Sequence, residues 1–303
     1  MPKRNGLALP TGFVRNVESL TGEAGRQWLD DLPQLIATLQ DRWSIRICSP
    51  FQNISFNFVA PVDLSDGQKA VLKIAPPTGE TEIFSEARYL RTLGGNGVVK
   101  LLAECRQDRA LLIERAVPGR TLAKACRDRP LDAVDVAIEL LGKIAMPAPE
   151  GNVDVIDLDD WFENLERARG TLFPADYVDR ALDAYSRLGK SAAKRYLHGD
   201  VHLENIICSG DEFVLIDPKG IVGVDGYEVA VFLNNFRWWL GDRPDLHELL
   251  TEALTRFSAA LDIREEEFRV WAYAQMVLCA WWIFDEMPEQ YANEVVQSDV
   301  WAV

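Results

Sequence analysis

Three side chains whose types suit phosphoryl transfer stand close together in the second half of this sequence. The run His198-Gly199-Asp200-Val201-His202-Leu203-Glu204-Asn205 supplies a carboxylate, Asp200, and an amide five residues on. A second carboxylate, Asp217, lies twelve residues further, at the end of Phe213-Val214-Leu215-Ile216. An Asp beside an attacking hydroxyl, with an Asn and an Asp to hold Mg²⁺ against ATP, is the set such chemistry needs. Magnesium takes oxygen ligands and keeps several waters, so one amide, one carboxylate and the nucleotide phosphates suffice.

The elements around these residues must bring them together. Ile206-Ile207-Cys208 and Phe213–Ile216 are apolar runs separated by Ser209-Gly210-Asp211-Glu212, which reads as a β-hairpin. Asn205 enters the first strand and Asp217 leaves the second, so antiparallel pairing puts both at one end. The plainer alternative, a structural hairpin ended by an Asp217-Pro218 turn, leaves the His-Gly-Asp run unexplained.

A cation for the ATP phosphates is expected upstream. Lys73 sits in the β-rich run Lys69-Ala70-Val71-Leu72-Lys73-Ile74-Ala75, followed by a helical pattern of Ile83, Ala87, Leu90 and Leu93 that ends at Gly94-Gly95. Glu86 on that helix is the expected partner of Lys73, with Glu82 one turn away as the competitor. A strand lysine followed by a helix glutamate is otherwise a common solvated pair. Its position ahead of the His-Gly-Asp run gives it weight.

The Asp200–Asn205 interval is also that of the protein-kinase catalytic loop. The run His-Gly-Asp-x-His-x-x-Asn resembles the aminoglycoside phosphotransferase superfamily. Ile216-Asp217-Pro218-Lys219-Gly220 and Gly226-Tyr227-Glu228-Val229-Ala230 resemble its streptomycin 6-kinase and hydroxyurea phosphotransferase branch. So do Glu86-Ala87-Arg88-Tyr89-Leu90, Gly97–Leu102 and Leu111–Leu122. The resemblance implies that Asp200 is the base or hydroxyl-orienting residue, Asn205 and Asp217 the magnesium ligands, and Lys73 the phosphate cation with Glu86 its partner. It also implies supporting roles for His198, His202 and Lys219, with Glu228 an anchor of the catalytic loop. The backbone of Ile113-Glu114-Arg115-Ala116, at Glu114 and Ala116, would meet the adenine edge.

The family's turn over the phosphates is often Gly-rich. Here Pro50-Phe51-Gln52-Asn53-Ile54-Ser55-Phe56-Asn57 contains no glycine. Ser55 is the candidate donor, and Asn53 and Asn57 are residues that tolerate a left-handed backbone.

Composition agrees with a cytoplasmic enzyme. The chain has 303 residues, 48% hydrophobic, and five cysteines with no Cys-x-x-Cys pair, which suggests reduced thiols and no zinc site. Neither a signal peptide nor a membrane-spanning run is read, so no membrane partner is expected. A net charge of −15 argues against nucleic acid and suits a small cationic substrate, although acidity for solubility alone explains it equally.

The fold expected is α+β and bilobal, protein-kinase-like. Residues 1–116 form a small β-rich nucleotide-binding lobe with a helical extension at 17–43. Its hairpin is read at 56–62 and 69–75, its helix at 80–93, and two further strands at 98–102 and 110–114. Pro118-Gly119 closes the crossover into a mostly helical catalytic and substrate-binding lobe, 117–303. Helices are expected there at 131–144, 161–172, 177–188, 227–240, 245–261 and 268–284. Asp285 and Glu286, after the last of these, are substrate candidates, with Asp159 and Asp160 weaker ones. The activity expected is Mg-ATP-dependent transfer to a small-molecule hydroxyl. A housekeeping sugar or metabolite kinase and a degenerate nucleotide-binding module are the alternatives. A protein kinase is disfavoured, since no Ala-Pro-Glu-type anchor follows Asp217.

Overall fold

Contacts between Cα atoms divide the chain into two units, Met1–Val117 and Pro118–Val303. The computed structural model describes residues 3–4, 7–78, 82–151, 154–190, 192–288 and 298–301.

In the first unit, β1 (Lys3–Arg4) and β2 (Leu7–Ala8) pair antiparallel ahead of a long helix, α1 (Thr11–Trp43). This helix begins before residue 17, and Gly22 interrupts it at φ 58°, so a shorter first segment joins the amphipathic one at a kink. Phe13, Val17, Leu29, Leu32, Ile36 and Leu39 bury one stripe of α1 against the sheet residues Phe58, Ala60, Val62 and Leu72. The sheet runs β3 (Ile45–Ile47), β4 (Phe58–Leu64), β5 (Lys69–Ile74), β7 (Ala110–Glu114) and β6 (Leu101–Cys105), antiparallel throughout. Between β5 and the sheet's other edge come α2 (Glu82–Leu93), β6 (Leu101–Cys105) and β7 (Ala110–Glu114). The expected helix start at Glu80 lies outside the described residues.

The strand expected at 98–102 is shifted to Leu101–Cys105. Gly97 turns the chain at φ 72°, and Val98 and Val99 bury their side chains before the ladder begins. Apolarity there reports burial, with a single bridge at Val98 rather than a continuous strand.

The second unit opens with β8 (Pro118–Thr121), so Pro118-Gly119, read as closing the crossover, also begins a strand. β8 pairs with β11 (Ile206–Ser209), which pairs in turn with β12 (Glu212–Leu215). Proline is tolerated because it starts an edge strand. Between these come α3 (Leu122–Ala125), α4 (Pro130–Ile144), β9 (Ile156–Asp157), α5 (Leu158–Leu165), α6 (Ala175–Leu188) and β10 (Arg195–Leu197). The helix expected at 161–172 is shorter and earlier. It ends at Leu165 and tightens into a 3₁₀ turn, Glu166–Gly170, where Arg169 bonds Glu166 and Asp179.

After β13 (Ile221–Gly223) come α7 (Asp225–Leu240), α8 (Leu246–Leu261) and α9 (Glu265–Glu286). β13 joins β10 antiparallel and β9 parallel. The aromatics of α9 are largely core: Phe268, Trp271, Tyr273, Trp281 and Phe284 are buried. Gly226 permits the close α7–α9 packing, since a Cβ there would lie 2.3 Å from the Trp271 ring. Among the described residues, no helix is long and apolar enough to cross a membrane.

Candidate active site

The β11–β12 hairpin sets the geometry of the second unit's site. Ile206 faces Leu215 and Ser209 faces Glu212, leaving a two-residue loop, Gly210-Asp211, tighter than the four residues read from sequence. The pairing continues past the strands, where the Ile216 N–H donates to the Asn205 carbonyl at 2.9 Å. Asn205 and Asp217 therefore stand at the same end. Asp217 takes a left-handed backbone, φ 61°, which is unusual for a non-glycine residue and turns the chain sharply off the strand.

His198 ties the catalytic loop to that turn. It is fully buried. Its Nδ1 accepts from the Asp200 N–H at 3.2 Å, so the ring proton sits on Nε2, which donates to the Ile216 carbonyl at 3.1 Å. Its own carbonyl accepts from the amides of Lys219 (2.7 Å) and Gly220 (3.2 Å). Burial depresses its pKa to about 3, so the imidazole is a neutral brace. Gly199 next to it adopts φ 81°, and a Cβ there would sit 3.1 Å from the Lys219 and Ile221 side chains. Only glycine fits the turn without strain.

Glu228, from α7, holds the loop from the other side. Its buried carboxylate accepts from the Gly199 N–H at 2.9 Å (Oε1) and 3.2 Å (Oε2), with a further main-chain bond to His198. No cation offsets its burial among those influences, and desolvation pushes its pKa up to about 8 against the pull of the amides.

These two braces leave Asp200 partly exposed at the turn's edge. Burial raises its pKa, and the nearby charges of His202 and Lys219 and the bond from Asn205 oppose the rise. Asn205 Nδ2 donates to the Asp200 carbonyl (3.0 Å) and to Asp200 Oδ2 (3.2 Å). His202 Nδ1 accepts from the Glu204 N–H at 3.2 Å, which leaves Nε2 facing Asp200 Oδ1 at 3.7 Å.

The first unit presents its own pair. Lys73, on the central strand β5 between Val59 and Leu111, reaches Glu86 Oε2 of α2 at 2.6 Å, and both side chains are buried. Glu86, not Glu82, meets the lysine because it shares the buried face of α2 with Ile83, Ala87 and Leu90. Glu114 ends β7, and its carboxylate accepts from the Lys100 N–H at 3.2 Å. Ala116 is buried two residues on. Ser55 is exposed in the connection from β3 to β4, and its carbonyl accepts from Asn16 Nδ2 of α1 at 3.2 Å. No residue from 48 to 57 has positive φ, so Asn53 and Asn57 do not use the left-handed backbone open to them.

Two weaker expectations place differently. Asp159 is engaged by Tyr185 and Lys194, which accounts for it structurally. Asp285 is exposed near the end of α9, and the side chain of Glu286 lies outside the described residues.

A sheet-bearing first unit with a buried Lys–Glu pair, joined to a helical unit carrying an Asp–Asn–Asp loop, is a protein-kinase-like fold, and the protein is a phosphotransferase. An amicoumacin kinase solved with AMP-PNP and Ca²⁺ superposes with a TM-score of 0.63 at 13% identity, over 89% of this chain and 92% of that one. The chain belongs to the aminoglycoside/hydroxyurea antibiotic resistance kinase family, which it matches over residues 43–286. Streptomycin 6-kinase of Streptomyces glaucescens is 30% identical over 92% of each chain. Hydroxyurea phosphotransferase of Kitasatospora aureofaciens is 30% identical over 97% of this chain and 86% of that one.

Proposed function

We propose that this protein transfers the γ-phosphoryl group of Mg-ATP to a hydroxyl of a small cationic molecule, an aminoglycoside of the streptomycin type. The observation that carries this reading is the braced loop that sets Asp200 beside Asn205 and one hairpin end away from Asp217. In the reaction, the acceptor oxygen bonds to phosphorus as the bond to the β,γ-bridging oxygen breaks. ADP leaves, and Asp200 takes the hydroxyl proton. A carboxylate with raised pKa suits that task, and positioned bases of this kind contribute about 10²–10⁴-fold.

The residues fit a magnesium ion. With Nδ2 committed to Asp200, Asn205 offers Oδ1, and the exposed Asp217 offers a carboxylate, an all-oxygen set for a hard cation. When bound, the ion neutralises charge on the transferring phosphates. His198 and Glu228 keep the loop rigid, and His202 and Lys219 hold the Asp200 carboxylate in orientation. In the first unit, Glu86 fixes the Lys73 ammonium for the phosphates, and Ser55 and the Glu114–Ala116 backbone serve the nucleotide. Asp285 and Glu286 are the carboxylates proposed for a cationic acceptor, consistent with the net charge of −15.

ADP release with Mg-ATP, measured against streptomycin, other aminoglycosides, hydroxyurea and simple amino sugars, tests the proposal, with Asp200→Asn as control. Turnover of streptomycin that is lost in the control is the expected result. Asp200-dependent turnover of hydroxyurea or an amino sugar alone would move the acceptor class while keeping the chemistry. Asp200-independent turnover would overturn it.

A further inference from the structure

A hollow of about 500 Å³ in the second unit is lined by Ala123 and Lys124 of α3, Arg127, Glu204, and Trp239, Leu240 and Arg243 at the end of α7. Three cations there meet one carboxylate, in a chain whose acidic residues outnumber its basic ones by 47 to 32. The four charged groups do not neutralise one another. Arg243 is held instead by Asp245, with Nη2 to Oδ2 at 2.8 Å, while Lys124, Arg127 and Glu204 make no ion pair among the described residues. The hollow thus holds two uncompensated cations apart from a carboxylate, an arrangement whose field a bound anion relieves. Beside them the indole of Trp239, set against Phe236 at 5.8 Å, and the side chains of Ala123 and Leu240 supply apolar surface.

We propose that this hollow is a binding site for a phosphate monoester with a ring-bearing body. Lys124 and Arg127 take the phosphate, Trp239 and Leu240 pack on the ring, and Glu204 accepts from a hydroxyl of the ligand where one is present. Glu204 lies between His202 and Asn205, so the site adjoins the catalytic loop without using any group assigned to the chemistry. The proposal stands apart from the acceptor assignment and does not depend on it.

Isothermal titration of the full chain, saturated with Mg-ATP so that Lys73 is occupied, with phenyl phosphate as probe provides the test. Phenol and inorganic phosphate are the controls for each half of the ligand. Phenyl phosphate is expected to bind more tightly than either. Lys124→Glu combined with Arg127→Glu weakens it by about a hundredfold, and Trp239→Leu by about tenfold. Circular dichroism and basal ADP release, unchanged in these variants, show that the fold persists. Absence of binding to the wild-type chain, or affinity indifferent to the double charge reversal, would overturn the proposal.

Discussion

Two buried glutamates hold the two halves of the proposed site, and they do it by opposite means. Glu86 meets an ammonium, Lys73 Nζ, at 2.6 Å between a strand and a helix. Glu228 meets main-chain amides, Gly199 at 2.9 Å foremost, between a helix and a glycine turn. The first arrangement cancels one buried charge with another. The second has only dipoles to set against desolvation, so the carboxyl's pKa rises to about 8. A salt bridge positions a side chain that, in the proposed reaction, carries charge to the phosphates. An amide clamp positions a backbone, and through it Asp200, without adding a cation of its own beside that carboxylate.

The comparison breaks most visibly where a charge is abandoned. Glu86→Ala takes the carboxylate from a buried ammonium and should cost about 3–5 kcal/mol in a urea melt. Replacing the pair together, Lys73→Met with Glu86→Leu, should recover most of that stability while leaving phosphate binding lost. A single substitution that costs nothing would mean the pair is not held as described.

At Glu228 the expected loss is smaller. Glu228→Ala leaves buried amides without their acceptor and should cost about 1–3 kcal/mol, with a fall in kcat larger than the change in nucleotide affinity. Glu228→Gln keeps a carbonyl acceptor and should retain much of both. Equal damage from Ala and Gln would show that charge, not acceptance, is what the loop needs.

The smallest effect is in the pH dependence of stability. Glu228 has its folded pKa raised from 4.5 to about 8, so the folded chain binds more protons and stability falls as pH rises across that window. His198 acts with the opposite sign. Its pKa is lowered from 6.5 to about 3, so its contribution is present above 6.5 and lost as pH falls. The two oppose each other from 4.5 to 6.5, and of the pair only the Glu228 slope remains from 6.5 to 8. Urea melts through that upper range should show stability declining in the wild type and a shallower slope in Glu228→Gln. Identical slopes would contradict the raised pKa of Glu228.

What could be read from sequence follows the same division. The placement of Asn205 and Asp217 was legible because they flank one hairpin, closed locally at Gly210-Asp211, with Asp200 a fixed five residues before Asn205. The Lys73–Glu86 pair was legible as strand order plus helical phase. Glu228 was legible as an anchor of the catalytic loop, but not the amide it takes, since Gly199 is 29 residues away and an amide leaves no mark in composition. Nor was the pairing of β8 with β11, because Pro118-Gly119 carries turn residues that an edge strand also accepts. The helix ending at Leu165 was overextended because apolar periodicity continues through a 3₁₀ turn. Lys124 and Arg127 gave no signal with Arg243, since only the fold brings their two distant segments around one hollow.

In the proposed reaction one loop divides its labour, with Asp200 serving the acceptor and Asp217 the metal-bound nucleotide. Mg-ATP affinity and turnover measured side by side for Asp200→Asn and Asp217→Ala test it directly. The account predicts that Asp200→Asn loses turnover by about 10²-fold or more while binding Mg-ATP as the wild type does, and that Asp217→Ala loses Mg-ATP affinity itself. Surviving turnover in the first variant, or unchanged Mg-ATP affinity in the second, would contradict it.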